Sequence, residues 1–534
     1  MLLVRRSLSR AISACAASLP VALMLASPAV PALTTLPAQT QTGVNGAHAT
    51  DGSGTRTEWL LGGYELVSEG APSREQSGGA ITLGVSGGNF TVSIGSDPQN
   101  VGVLSNGGPA TPWASALLAA SLGSDGEDGG VAGAGYTRNG GYGGTVSLSV
   151  NAADPLQPAE VLLDTSTLPA LTGTLTLNGV LALSQGGRNS ARWDYGLFTG
   201  HNDYYSQSGN GGAVSVDFLG NIRSQGSYDS AAGPLVLDEV GIAAISKGGS
   251  FKCYDYDCLG HYKVNFNFET PGVGGAVDVT LRSGSQILLQ QGAATGIYAL
   301  SANGGIPTDG ASFADPSLGY NINTSALVAG RVNVSVEEGA TIKVGSAGAL
   351  ASAGIIAISA GSELGVDDIW YSYLTNAGGE GVGADVTVSN AGEIEAEGIL
   401  ALGIGALSLG GEAAVGVLGV APGQYRASKK SPDNPGTLGT VRVTNDGSIV
   451  TRGDSSHGIV AGSLGAGGVI YTALAGDEAA RKAIAESCVE RIGTSAEEVR
   501  ENAALGELPL CNGVTTGLTL GSTAGVSAVN GGAV

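Results

Sequence analysis

A pattern of roughly 30 residues recurs along this chain, and a unit of that size cannot bury its own apolar face without stacked neighbours. The clearest copy is residues 439 to 468, GTVRVTNDGSIVTRGDSSHGIVAGSLGAGG. Val441 and Val443 alternate with polar residues, Gly447 turns the chain and Ile449 starts a second strand. Gly453 and Gly458 bracket another turn, and Ile459, Ala461 and Ser463 form a third strand. Copies also begin at Gly78, Gly143, Gly211, Gly274, Gly330 and Gly383. Each holds a period-2 run such as Val332, Val334 and Val336, which points alternate side chains to one face. Four close on Gly-Ile-x-Ala-x-Ser, at Gly241–Ser246, Gly296–Ser301, Gly354–Ser359 and Gly403–Ser408.

Stacked in parallel at a spacing of about 4.8 Å, such units share one continuous core. The expected fold is therefore all-β, a parallel β-helix solenoid with long side loops, one coil per repeat; seven coils extend roughly 34 Å. A β-propeller needs four strands per blade and an aromatic signature of its own. Here aromatics are only 5% of residues while 42% are hydrophobic, and 90 of 534 residues are Gly. Small aliphatics with Gly corners suit a core only a few side chains across. With 19 Pro and no Gly-X-Y period, collagen is excluded. A net charge of −22 repels phosphate backbones, so no nucleic-acid partner is expected.

Residues 1 to 32 read as a secretory signal peptide, with Arg5, Arg6 and Arg10 before an apolar stretch from Ala11 to Val30 and small residues at Val30 and Ala32. Cleavage is expected after Ala32, with Ala38 as the alternative. Residues 33 to 77 form an N-terminal linker or cap, and residues 78 to 534 the β-helix. The apolar run 399 to 422 contains Glu412 and matches the third strand of the other repeats, so it is assigned to the β-helix rather than to a membrane span. Beyond Cys15, the cysteines are Cys253, Cys258, Cys488 and Cys511, two sequence-local pairs. In an oxidising compartment these predict disulfides Cys253–Cys258 and Cys488–Cys511. A zinc site would need a second Cys-x-x-Cys or clustered His, and no metal or cofactor is expected.

The excursions between copies all follow the third strand, so loops should emerge along one side. Residues 188 to 210 hold Trp193, Tyr195, Phe198, Tyr204 and Tyr205; residues 250 to 273 hold Phe251, Tyr254, Tyr256, Tyr262, Phe266 and Phe268. Tyr and Trp on exposed loops supply flat apolar area with a polar edge. Trp193, Tyr195, Tyr204, Tyr205, Tyr254, Tyr256 and Tyr262 are therefore the candidate ligand-binding residues. Residues 477 to 506 read as a small helical hairpin, capped by Asp477 and by a Ser495 and Glu498 capping box.

Val-x-Val, then Asn-x-Gly-x-Ile, then Gly-Ile-x-Ala-x-Ser with a Gly-Gly exit, as in Val441, Val443, Asn445, Gly447, Ile449, Gly458, Ile459, Ala461 and Ser463, resembles the passenger domain of Gram-negative autotransporters. Asn390, Gly392 and Ile394 repeat the middle element, and the resemblance covers residues 78 to 534. It implies a right-handed β-helix, export to the cell surface or outer membrane, and a downstream outer-membrane β-barrel translocator. No run of alternating strands with aromatic girdles follows the last repeat. The chain stops at Gly531, Gly532, Ala533 and Val534, the residues that open the copy at Gly211, so the expectation is that it continues further.

Catalytic signals are weak. Asp454, Ser455, Ser456 and His457 are too close in sequence to adopt triad geometry on one turn. Arg452, Gly453 and Asp454 spell an integrin tripeptide at a position the repeat already reserves for a turn. Asp125, Glu127 and Asp128 form one acidic turn that could hold calcium. Asp203, Asp255 and Asp257 in the aromatic loops could supply paired carboxylates for a polysaccharide lyase or hydrolase, the alternative function. The expected function is a non-enzymatic adhesin or interaction scaffold whose loops contact a host-cell surface glycan or protein.

Overall fold

Alternating apolar runs bounded by Gly turns form strands where the repeat places them. In the seventh copy these are Val441–Asn445, Ser448–Arg452 and His457–Leu464. The computed structural model describes residues 64–69, 77–93, 102–104, 111–125, 139–152, 158–165, 173–191, 207–226, 235–253, 271–290, 292, 294–304, 327–350, 352–362, 364–366, 372–375, 381–399, 401–410, 414–416, 439–453, 456–464, 469–472, 516–519 and 526–530. All belong to the unit Thr42–Val534.

Equivalent strands of successive coils pair in parallel and build three sheets, which makes the fold a parallel β-helix. The first sheet runs from Ile81–Ser86 through the first strands of every coil to Val441–Asn445 and then Val526–Asn530. The second runs from Asn89–Ser93 to Ser448–Arg452. The third begins at Tyr64–Glu69, inside the span expected as linker or cap, and ends at His457–Leu464. One detail differs from the sequence expectation. The strand after Val441–Asn445 is Val526–Asn530, with Val526 stacked on Val441 and Asn530 on Asn445. Gly531 thus follows that strand instead of opening it, because Val526 to Asn530 already carries the Val-to-Asn pattern of Val441 to Asn445. The expected helical hairpin, 477 to 506, lies outside the described residues.

Register turns the repeat into columns of like side chains. Val146, Val214, Val277, Val332, Val386 and Val441 stack in the first sheet. Ile222, Ile287, Ile342, Ile394 and Ile449 stack in the second. Ile242, Ile297, Ile355, Ile404 and Ile459 stack in the third. The first four of that last column are fully buried, and Ile459 packs against the same core at the end of the stack.

The Gly that precedes each third-strand Ile is set by the second sheet. A Cβ on Gly296 would lie 2.4 Å from Cγ2 of Ile342, and one on Gly403 would lie 2.4 Å from Cγ2 of Ile449. Each Ile of one coil fills the space that a missing side chain leaves in the coil before it. Polar residues inside the coil are likewise columnar. Ser121, Ser184, Ser246, Ser301, Ser359, Ser408 and Ser463 stack along the third sheet. The Ser246 hydroxyl donates to the Gly212 carbonyl at 2.7 Å and accepts from the Gly275 amide at 2.7 Å. Ser184 does the same between Gly144 and Gly212. The hydroxyl thus clips the opening of its own coil to the opening of the next. The Asn of Asn-x-Gly-x-Ile is also inward: Asn390 donates to Asn445 at 2.6 Å and accepts from the Gly392 amide at 3.2 Å.

The third sheet differs from the other two in being buried on both faces. Its inward residues are the Ile, Ala and Ser of the motif, yet the alternate residues are apolar and covered too: Leu118, Leu181, Ile356, Ile358 and Leu407 are each at most 3% exposed. A second apolar cluster forms there from Leu118, Ala120, Leu181, Leu183, Val240 and Ala243, with Tyr298 packed against it.

Two substitutions probe this register. Ile355→Asp places a carboxylate in the fully buried column and should destabilise by at least about 3 kcal/mol in thermal or denaturant unfolding. Ser246→Ala leaves the Gly275 amide and Gly212 carbonyl unpaired, for a loss of about 2 kcal/mol and faster amide exchange at Gly275.

Candidate functional site: the loop side of the coil stack

Each loop leaves after the third strand through a Gly-rich exit and returns through another Gly. These exits and returns interleave in one hydrogen-bonded column. The Gly141 amide donates to Ser124, Gly187 to Gly141, Gly209 to Gly187, Gly249 to Gly209, Gly272 to Gly249 and Gly304 to Gly272, all at 2.8 to 2.9 Å. No side chain fits inside that column: a Cβ on Gly187 would stand 1.8 Å from the Ser124 carbonyl oxygen, and one on Gly272 1.8 Å from that of Gly209. The Gly-Gly signature therefore reads as close backbone approach, and it fixes the loops to one side.

The two aromatic loops start side by side. Asn189–Ala191 pairs in parallel with Phe251–Cys253, stacking Asn189 on Phe251, Ser190 on Lys252 and Ala191 on Cys253. Below this pair, Arg188 is pinned to the preceding coil. Its guanidinium donates to Asp125 at 2.9 Å from Nε and 2.6 Å from Nη2, and its amide donates to the other carboxylate oxygen at 2.8 Å. On the return side the Gln207 amide donates to Asn139 at 2.7 Å and the Val273 amide to Asn210 at 2.9 Å. The roots of both loops are thus tied from coil to coil at each end.

Further along, the loop side carries a sheet that the sequence reading missed. Leu364–Val366, Ser372–Thr375, Ala414–Gly416, Val469–Thr472 and Thr516–Thr519 form five mixed strands. Ala414–Gly416 and Val469–Thr472 pair in parallel, being exits of consecutive coils, while the other contacts are antiparallel. The available signal was the persistence of β-branched and apolar residues beyond the Gly exit, as in Val469, Ile470 and Tyr471. The run 399 to 422 splits between the third sheet, at Leu402–Leu409, and this added one. Among the described residues, no helix is long and apolar enough to cross a membrane.

The candidate residues fall unevenly on this frame. Trp193, Tyr195, Tyr204, Tyr205, Tyr254, Tyr256 and Tyr262 lie outside the described residues, as do Asp203, Asp255, Asp257, Cys258, Cys488 and Cys511. Cys253 ends the strand Phe251–Cys253. Of the acidic turn, Asp125 serves Arg188, and Glu127 and Asp128 are outside the described residues. The Ser456 hydroxyl donates to the Gly453 carbonyl at 2.8 Å, so it closes a turn and is not presented to His457. Partial burial holds the His457 imidazole below the usual range, which favours its neutral form. Arg452 forms an ion pair with Glu395 of the neighbouring coil, and Gly453 has φ of 121°, a turn conformation suited to Gly.

Comparison with protein family models, with curated proteins and with solved structures found no match to this chain.

The Arg188 anchor has a direct readout. Asp125→Ala removes the carboxylate that holds both the Arg188 amide and its guanidinium, so limited trypsin digestion should cut after Arg188 several-fold faster than in the parent chain, while overall unfolding changes by less than about 2 kcal/mol.

Proposed function

We propose that this chain is an exported β-helical passenger of the autotransporter type, displayed at the cell surface, and that it acts as an adhesin or interaction scaffold rather than as an enzyme. One observation carries the reading: the roots of the two aromatic-rich loops leave consecutive coils as hydrogen-bonded neighbours, so both loops start from one side of one frame. Eleven aromatic residues are placed in these two loops of a chain that has 4 Trp, 16 Tyr and 7 Phe. Such residues, in loops whose sequence also holds Asp203, Asp255 and Asp257, suit stacking on sugars or docking on a protein. The partner is accordingly a host-cell surface glycan or protein, and a downstream outer-membrane barrel would hold the passenger at the surface.

The test replaces Tyr204, Tyr205, Tyr254 and Tyr256 with Ala. Binding to host cells and to a glycan array is measured beside far-UV circular dichroism. Binding should fall at least tenfold with an unchanged β spectrum. Unchanged binding removes these loops from the site. Release of reducing sugar from polysaccharides by the parent chain would replace the scaffold reading with the lyase or hydrolase.

A further inference from the structure

Coil three contains a carboxylate where its neighbours hold hydrocarbon. Glu239 lies in Leu235–Lys247, stacked between Leu177 of coil two and Ala294 of coil four. Both neighbours are fully buried, and Glu239 itself is 1% exposed. Neither carboxylate oxygen has a hydrogen-bond partner among the described residues. Ser224, on the adjoining second strand and itself stacked on the buried Leu163, brings its hydroxyl toward the carboxyl without meeting it at hydrogen-bond geometry.

Among the described residues no countercharge faces it. The strands Gly173–Gln185, Ala294–Ala302 and Gln286–Leu289 contain no charged residue. Arg223 is paired with Glu160, Asp217 with Arg282 and Asp278 with Arg331, all on the outward side of the sheets. Asp164 alternates with the buried Leu163. On its own strand, Asp238 is the chain neighbour of Glu239, and Lys247 is the last residue, eight positions on.

We propose that Glu239 is a pH-operated wedge in coil three: protonated, it lets the coil close beneath the root of loop 250 to 273, and ionised, it drives the strand Leu235–Lys247 to open locally toward water. The position is suited to this because Gly248 and Gly249 connect that same strand to the loop, and Phe251–Cys253 then pairs with the root of loop 188 to 210. The inference does not depend on what the loops bind.

Burial raises the Glu239 carboxyl from 4.5 to about 7, an effect that the Ser224 hydroxyl only moderates. An acid raised in this way binds more protons closed than open, so the closed state weakens as pH rises from about 4.5 through 7 and is weakest above that. The test is hydrogen exchange on the full chain at pH 5.5 and pH 8.5, read as protection factors for peptides within 235 to 247 and, as reference, within 353 to 360 of coil five. Relative to the reference, protection of the coil-three peptide should fall roughly thirtyfold between the two pH values. Glu239→Gln should abolish that fall. Glu239→Leu, which copies coil two, carries the same expectation if the Gln variant does not fold. Equal relative protection at both pH values in the parent chain, or a fall that persists in either variant, overturns the proposal.

Discussion

In-register stacking is the constraint from which the rest of this structure follows. A residue in one coil lies about 4.8 Å from its equivalent in the next, so each inward position must accept the same volume repeatedly. The Ile columns of the second and third sheets meet this by shape, and each third-strand Gly yields its space to the Ile of the following coil. An extra residue within a strand would shift every column it enters. Length variation is therefore confined to corners, and above all to the Gly column where chain leaves and returns without side chains between. A fold this repetitive inside leaves functional diversity to its side loops.

The same rule governs polar groups. Most of the columnar serines and asparagines are tolerated inside because they find partners at the coil junction: Ser246 with Gly212 and Gly275, Asn390 with Asn445. A buried hydroxyl paired at both ends costs little, whereas one left unpaired costs the full desolvation of the group. Glu239 breaks the rule because Leu177 and Ala294, its columnar neighbours, offer nothing to bond with. Its carboxyl is consequently the buried acid whose charge state the fold itself must decide.

The repeat was legible in the sequence because its apolar alternation and Gly spacing are local, and local pattern is what stacked coils amplify. Strand order, the inward Ile355 and Ile459 and the common exit of the loops follow from it. Three features were less accessible. The added loop-side sheet arises from three- to four-residue segments such as Ala414–Gly416, too short to show a period. The strand Val526–Asn530 is separated from its neighbour Val441–Asn445 by a long intervening segment, so the Gly-Gly-Ala-Val string at 531 to 534 was the more visible marker. The two-sided burial of the third sheet shows in sequence as runs such as Ile355, Ile356, Ala357 and Ile358, apolar on both parities, but a run of that kind does not say what lies against it. The aromatic residues chosen as a site were legible as composition, while the frame that brings the loop roots together needed the pairing of Asn189–Ala191 with Phe251–Cys253.

The chain's charge also acquires a structural meaning. It has 24 Lys and Arg against 46 Asp and Glu. In parallel stacking, acids at equivalent positions of adjacent coils would repel one another directly. Cations are set where they interrupt this. Arg188, Arg223, Arg282 and Arg331 each reach an acid one coil back, and Lys343 and Arg452 approach Glu395 from opposite sides. Each such pair is worth little alone at an exposed surface. Their collective effect is to relieve repulsion between coils while using up cations that could otherwise meet an anionic partner. The surplus that remains is negative, so a ligand gripping the loop side gains most from ring stacking and hydrogen bonds, and from charge only if it brings the positive member itself.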